Sequence, residues 1–415
     1  MSAWLARRVV SMLLRRITVG SLIVVEGDER RVYGSGPPAA TVRIRSARTW
    51  AKLLRGSSGM AEAFAQSLWD SPDLVALIRL AARNAGGFDR LRSLLAPLRW
   101  PLQRAGALLR RSTKRRRRRY IAAHYDLGNE LFARMLDPTM SYSCALFERE
   151  GMTLEQAQVA KLEHVCEQLD LGRGDRVLEI GTGWGGFALH AAATRGCHVT
   201  TTTISREQHD YAVEEVRHAG LSDRVTVLME DYRELRGRYD KLVSIEMIEA
   251  VGWPHFGTFF AKCSELLSPG GAMLLQAITI DDRAYEVEKA SKSFINTYIF
   301  PGGCLPSLEV IARNVARRTD MQVVGLEDLT PHYVETLRYW RENFTAHAEA
   351  LSERGYDERF RRLWTLYLAY CEAGFAERRI GDIQLLLTKP RARIASRTHR
   401  TGSGHSRQSD LSLSA

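Results

Sequence analysis

The chain has 415 residues, enough for two or three domains with their own cores, and its 45% hydrophobic and 26% charged content is that of ordinary globular protein. Its formal charge of +11 is uneven: residues 101–119 carry +9 and residues 391–415 carry +4, so the rest is near neutral at −2. Six scattered cysteines with no C-x-x-C pair argue against structural zinc or a disulfide framework and suit a reducing, cytoplasmic compartment, and no run approaches the roughly 20 apolar residues of a membrane span.

The first segment, "MSAWLARRVVSMLLRRI", has arginines throughout and no small-residue cleavage site, so it does not read as a secretory signal. Its apolar residues follow a helical face only loosely. A packed helix and a helix resting on a membrane surface both fit it. Residues 17–50 read as short strands and turns, including "TVGSLIVVEGDERRVYGSGPP" and "ATVRIRS". From 59 to about 100 the pattern turns helical ("MAEAFAQSLW", "DLVALIRLAARN"), with Ser71-Pro72-Asp73 as a start signal. This gives a small α+β unit over 1–105. An arginine-rich linker follows over 106–120, whose "STKRRRRRY" could be a solvated connector or grip nucleic acid or anionic headgroups.

Strands and helices then alternate. Helix "TLEQAQVAKLEHVCEQL" precedes strand "RVLEIG", helix "GFALHAAATRG", strand "HVTTTTIS" and helix "REQHDYAVEEVRHAG". Strands "RVTVLME" and "YDKLVSIEM", a helix near 255–267 and strand "AMLLQAITI" come next. Such alternation predicts an α/β fold with a mostly parallel, Rossmann-like sheet over 121–390. The runs "MQVVGLEDL" and "DIQLLLTK" are expected as edge strands, and the tail 391–415, almost without apolar residues, as disordered.

In "VLEIGTGWGGFALHAA" a glycine loop joins a strand to a helix, where backbone can approach a ligand closely. A dinucleotide site would also want an acid about 20 residues on, but that region is "HVTTTTISREQ", with no acid before Glu207. A glycine-rich loop, a polar end to the second strand and the acidic "MEDY" after the third suit S-adenosylmethionine better. The order looks like a class I methyltransferase, and a plain packing turn is the alternative.

The chain further resembles the cyclopropane fatty acyl phospholipid synthase family, which includes mycolic-acid cyclopropanating enzymes and tuberculostearic acid methyltransferases. The stretches are "HYDLGNELFARMLDPTMSYSCALF", "LEIGTGWGG", "TISREQ", "SIEMIEAVG", "FINTYIFPGGCLPS" and "HYVETLRYWRENF", in order over residues 121–345. The resemblance implies a seven-stranded catalytic domain behind a small lipid-associated one. It places S-adenosylmethionine against Tyr142, Ser143, Glu179, Gly181, Gly183, Gly185, Thr203, Ser205, Gln208, Glu230, Asp231 and Ile245. It also implies a bicarbonate ion, bound as base, touching Cys144, Glu249, Gln276, Ile278 and Tyr333. Cys144 then reads as the wall of an anion site, or as a small core residue, and not as a nucleophile, which would want a base beside it.

One departure stands out. The family's cyclopropane synthases commonly carry His where this chain has Gln276; an amide can donate to an anion but cannot shuttle a proton. Methyl addition to an alkene carbon leaves a cation on its neighbour. Proton loss from the new methyl closes a cyclopropane, whereas a hydride shift followed by the same loss gives a methylene branch. Aromatic faces stabilise a cation and dryness protects it, so Tyr298, Phe300, Tyr333, Tyr339, Trp340 and Phe344 are candidates, as a group, for lining an acyl tunnel. The implied substrate is the unsaturated acyl chain of a membrane phospholipid, met by peripheral contact at the inner membrane face. A homodimer through the N-terminal unit and a separate reductase are further implied partners. A nucleic-acid methyltransferase, for which no Asn-Pro-Pro-Tyr motif is found, and an inactive scaffold are the competing classes.

Overall fold

The computed structural model describes residues 2–85, 128–290 and 293–392. The arginine run and nearly all of the basic tail lie outside the described residues, as does the end of the expected N-terminal helical region.

The N-terminal unit opens with helix α1 (Ala3–Leu14), capped by Ser2 and buried through Ala6 and Val10. Strands β1 (Gly20–Glu26), β2 (Glu29–Ser35), β3 (Ala39–Ile44) and the short β4 (Trp69–Asp70) form a sheet in the order β2-β1-β3-β4. Alternation in β1, with Leu22 and Val24 inward, gives that sheet its apolar face. Helices begin earlier than the sequence pattern indicates. The short α2 (Arg48–Leu53), which has no side-chain cap, precedes α3 (Ser57–Ala65), and α4 (Leu74–Arg83) starts on the Asp73 cap. No helix among the described residues is long and apolar enough to cross a membrane.

The second region begins with α5 (Asn129–Met135) and α6 (Leu154–Gln168), the latter started by a Thr153–Gln156 capping box. Then follow β5 (Arg176–Ile180), α7 (Gly186–Arg195), β6 (His198–Thr202), α8 (Arg206–His218), β7 (Val225–Leu228) and β8 (Tyr239–Ile245). After the one-turn α9 (Ile248–Val251) come α10 (Phe256–Leu266), the long β9 (Leu267–Ile280) and α11 (Tyr285–Ala290). The chain ends with α12 (Leu308–Arg318), β10 (Gln322–Asp328), α13 (Thr330–Ala346), α14 (Ala348–Glu353), α15 (Glu358–Ala376) and β11 (Ile380–Thr388).

The seven strands are ordered β10-β11-β9-β8-β5-β6-β7. The five from β9 to β7 are parallel, and β11 enters antiparallel to both β9 and β10. Of the two runs expected as edge strands, only β10 lies at an edge; β11 is interior, which explains its near-continuous burial. The chain order reverses at β5, so its carboxyl end is the topological switch point where such sheets bind ligands.

The N-terminal unit and helices α13 and α15 share one hydrophobic core. Arg362 on α15 ties them together. Its Nε donates to Phe64 O (2.7 Å), its Nη2 to Trp69 O (3.1 Å), and its guanidinium lies 4.1 Å from the Phe64 ring centroid. Arg79 and Arg83 reach across to Glu377 at 2.7 and 2.8 Å. Replacing Arg362 with Met leaves two carbonyls short of a partner, so Arg362→Met is expected to lose about 2 kcal/mol of unfolding free energy in a denaturant titration. An unchanged midpoint would show that the Arg362 hydrogen bonds do not hold the units together.

Candidate active site

The ends of β5, β6 and β8 surround a cavity of about 180 Å³. Gly181, with φ of +107°, turns the chain out of β5, and a Cβ there would lie 3.1 Å from Met247. At Gly186 a Cβ would meet Thr139 O at 2.6 Å. That close approach seats the 137–143 segment over the glycine loop and carries Tyr142 and Ser143 into the cavity wall.

Of the predicted cofactor residues, Tyr142, Ser143, Glu179, Gly181 and Gly183 line this cavity from one side. Thr203, Gln208, Glu230, Asp231 and Ile245 line it from the other. Two do not. Ser205 caps α8 by accepting from the Gln208 N–H, and Gly185 packs on Ala212 in a left-handed conformation. Glu179 is buried, hydrogen-bonded by the Thr201 hydroxyl at 2.6 Å, and pushed up to about 8 by burial. Asp231 is held by the Arg233 Nε at 2.7 Å.

Three of the five residues expected around an anion also converge, but on a residue absent from that set. Glu246 ends β8 with φ of +48°, its own N–H donating to Gln276 O at 2.9 Å. Its buried carboxylate accepts from the Cys144 N–H (2.7 Å) and Gln276 Nε2 (2.9 Å) on Oε1, and from the Tyr333 hydroxyl (2.5 Å) on Oε2. Glu249 and Ile278 bond to each other instead, Ile278 N–H to Glu249 Oε1 at 2.5 Å.

Gln276 is locked from a second direction. Register places it opposite Gln384 on β11, with Asp382 opposite Ile278. Its amide nitrogen also donates to Asp382 Oδ2 (2.9 Å), and its oxygen accepts from Gln384 Nε2 (3.0 Å). One amide thus bridges two buried carboxyls, which cannot both ionise cheaply. Asp382 holds its proton: burial, then the charges of Glu246 and Glu249, push it well above the usual carboxylate range. Burial also raises Glu246, but three donors and the nearby Lys161 oppose it, so the negative charge settles there.

Lys161, projecting from α6 into the cavity wall, is fully buried and donates to Ser143 Oγ at 2.8 Å. Burial lowers its pKa against the pull of Glu246 and Asp137. The Cys144 thiol is pushed well above its usual range by burial and by Asp382 and Glu246, and it donates to the Ala145 and Leu329 carbonyls. It is therefore no thiolate.

Aromatic rings close the remaining side. Tyr333 stacks on Phe375 at 4.2 Å and meets Trp340 edge-on, and Trp340 lies 5.0 Å from Tyr142. The Tyr142 and Tyr367 hydroxyls are 2.8 Å apart, and Phe300 packs edge-on to Tyr367. The other expected rings are dispersed. Tyr339 stacks on Phe147, Tyr298 is 37% exposed, and Phe344 is buried in the core.

The sequence reading missed Glu246, Lys161, Asp382 and Gln384. A signal existed for the last two: polar residues at a spacing of two inside the apolar "DIQLLLTK", which puts both on one sheet face.

The model of the family described as mycolic acid cyclopropane synthetase matches residues 112–385. The chain belongs to that family. It is 38% identical over 393 residues to tuberculostearic acid methyltransferase UfaA1 of Mycobacterium tuberculosis, covering 90% of this chain and 88% of that one. To the cyclopropane-fatty-acyl-phospholipid synthase of Escherichia coli it is 37% identical over 356 residues, 85% of this chain and 88% of that one. Among solved structures, the cyclopropane synthase MmaA2 of Mycobacterium tuberculosis aligns with a TM-score of 0.61 and 32% identity, over 66% of this chain and 98% of its own. Mycolic acid cyclopropane synthase CmaA1, in complex with SAH and CTAB, aligns with a TM-score of 0.61 and 30% identity over the same shares.

The buried carboxyls make stability depend on pH. Glu249 stands at about 8 in the fold because of burial and the charge of Glu246, against roughly 4.3 unfolded. A raised carboxyl pKa stabilises the fold below the unfolded value and loses that contribution as pH rises through the folded one. The melting temperature is accordingly expected to fall between pH 5 and pH 8, and to fall less in Glu249→Gln, which stays neutral throughout. Parallel profiles for the two proteins would show that Glu249 ionises freely in the fold.

Proposed function

We propose that the protein is an S-adenosylmethionine-dependent methyltransferase that modifies the double bond of unsaturated fatty acyl chains of phospholipids, giving a cyclopropane or a methylene-branched chain. The observation that carries this reading is what the glycine-loop cavity adjoins. At the sheet's switch point its wall includes Tyr142 and the Glu246 carboxylate, behind which Tyr333, Trp340 and Tyr367 are packed.

S-adenosylmethionine, when bound, supplies a methyl group made electrophilic by a positively charged sulfur. The residues that would hold it are those of the cavity wall. The backbone at Gly181 and Gly183 admits close approach, Glu230 and Asp231 offer carboxylates to hydroxyls, and Glu179 lies beneath the loop. An isolated alkene is a poor nucleophile, and the cation formed on it would be trapped by water. Tyr142 offers its ring to that cation from the cavity wall, and Trp340, Tyr333 and Tyr367 packed behind it keep water out.

The bicarbonate that the family resemblance assigns to this centre does not fit beside Glu246. Three of its five expected donors and walls already serve the Glu246 carboxylate, and Glu249 and Ile278 serve each other. Of the five, only Glu249 keeps a buried side-chain atom, Oε2, without a hydrogen-bond partner.

Contact with a membrane surface is supported by α1, which leaves Trp4, Leu5 and Met12 exposed beside Arg7 and Arg8. The branched product is favoured over the ring by Gln276, a neutral amide fixed by Asp382 and Gln384 where a proton-carrying His would sit.

Incubation with isotopically labelled S-adenosylmethionine and oleoyl phospholipid vesicles is expected to label the lipid. Label appearing in nucleic acid, or nowhere, would defeat the reading. Proton NMR of the product separates a cyclopropane from a terminal methylene, which share one mass; a pure cyclopropane would overturn the preference assigned to Gln276.

A further inference from the structure

We propose that the Glu246 carboxylate is itself the base of this centre, standing where a relative would bind an inorganic anion. The inference rests on the C-methylation reading above and concerns how the proton is removed. Geometry carries it. Cys144 N–H, Gln276 Nε2 and the Tyr333 hydroxyl converge on a point at the cavity wall, and the atoms they reach are the two oxygens of Glu246. An anion with oxygens in the same place would displace this side chain and bury a second negative charge beside it, with Lys161 alone to offset both.

The backbone is shaped to deliver the carboxylate there. Glu246 holds φ of +48°, a conformation that costs a non-glycine residue on the order of 1 kcal/mol, and its N–H is anchored to β9 at Gln276 O. That turn sends the side chain back across the sheet end.

The oxygens also have capacity for the reaction. A carboxylate offers about four lone-pair sites, and three are taken, two on Oε1 and one on Oε2. The free site is on Oε2. The groups facing the carboxylate fix its charge: Asp382 from β11 and Glu249 from α9 keep their protons, Lys161 from α6 is the nearby cation, and the Cys144 thiol and Tyr333 hydroxyl stay protonated.

In the step itself, a C–H bond of the newly added methyl breaks and its proton forms an O–H bond on Glu246 Oε2. The electron pair left behind closes the third bond of a cyclopropane or, after the hydride shift, the double bond of a methylene branch. Either way the cation is discharged, and neutral Glu246 returns its proton to water when the product leaves.

The test compares wild type and Glu246→Gly in rigorously carbon-dioxide-free buffer and in millimolar bicarbonate. Glycine suits the positive φ, so the substitution removes the carboxylate without straining the turn. Wild type should turn over at the same rate in both buffers. Glu246→Gly should lose on the order of 100-fold or more without bicarbonate and recover when bicarbonate or formate is added. As a readout independent of turnover, 13C-bicarbonate NMR should detect bound anion in the glycine variant and none in wild type. Wild-type activity that collapses without bicarbonate, or carbonate bound by wild type, overturns the proposal, and neither result depends on the variant folding. Vesicles left unlabelled by wild type in both buffers would count against the methyltransferase reading instead, and the binding measurement would still decide the role of Glu246.

Discussion

A single buried negative charge, on Glu246, organises the centre of this protein. Three donors from three separate parts of the chain are spent on it: the 137–144 segment through Cys144, strand β9 through Gln276 and helix α13 through Tyr333. Bringing an ionised carboxylate out of water is costly, and it persists only where hydrogen bonds and a cation compensate. Each element that approaches the sheet end is therefore constrained to bring a partner with it. The neighbouring acids meet the same constraint by keeping their protons, which is why a cluster of three carboxyls can be packed against one lysine.

The sheet topology makes that convergence available. Reversal of strand order at β5 opens the cavity, and insertion of β11 between β9 and β10 brings Asp382 and Gln384 against Gln276 and Ile278. With both ends of its amide engaged, Gln276 cannot rotate to serve another role. The described residues of the N-terminal unit contribute no cavity wall. It buttresses α15 through Arg362, and α15 in turn supplies Tyr367 and Phe375 to the aromatic side of the centre.

Much of this was legible in the sequence for physical reasons. Helix and strand periods differ, so the alternation from 154 onward announced a parallel sheet, and a glycine loop between strand and helix announced a ligand cavity. What could not be read was direction. "SIEMIEAVG" holds two glutamates, and which one the three donors meet depends on a left-handed turn at Glu246 that no residue type there demands. Lys161 was hidden because a lysine in an amphipathic helix ordinarily points to water. The interior position of β11 was obscured because a final apolar strand can end a sheet or enter it, and the pairing partner is set at long range. The early start of α2 escaped notice because it lacks a capping side chain.

The most direct measurement of this account is an experimental structure of the protein equilibrated with excess bicarbonate near pH 8. The account predicts Glu246 Oε1 within about 3 Å of both Cys144 N and Gln276 Nε2, with no carbonate between them. A carbonate ion seated on Cys144, Gln276 and Tyr333, with the Glu246 side chain swung away, would contradict it.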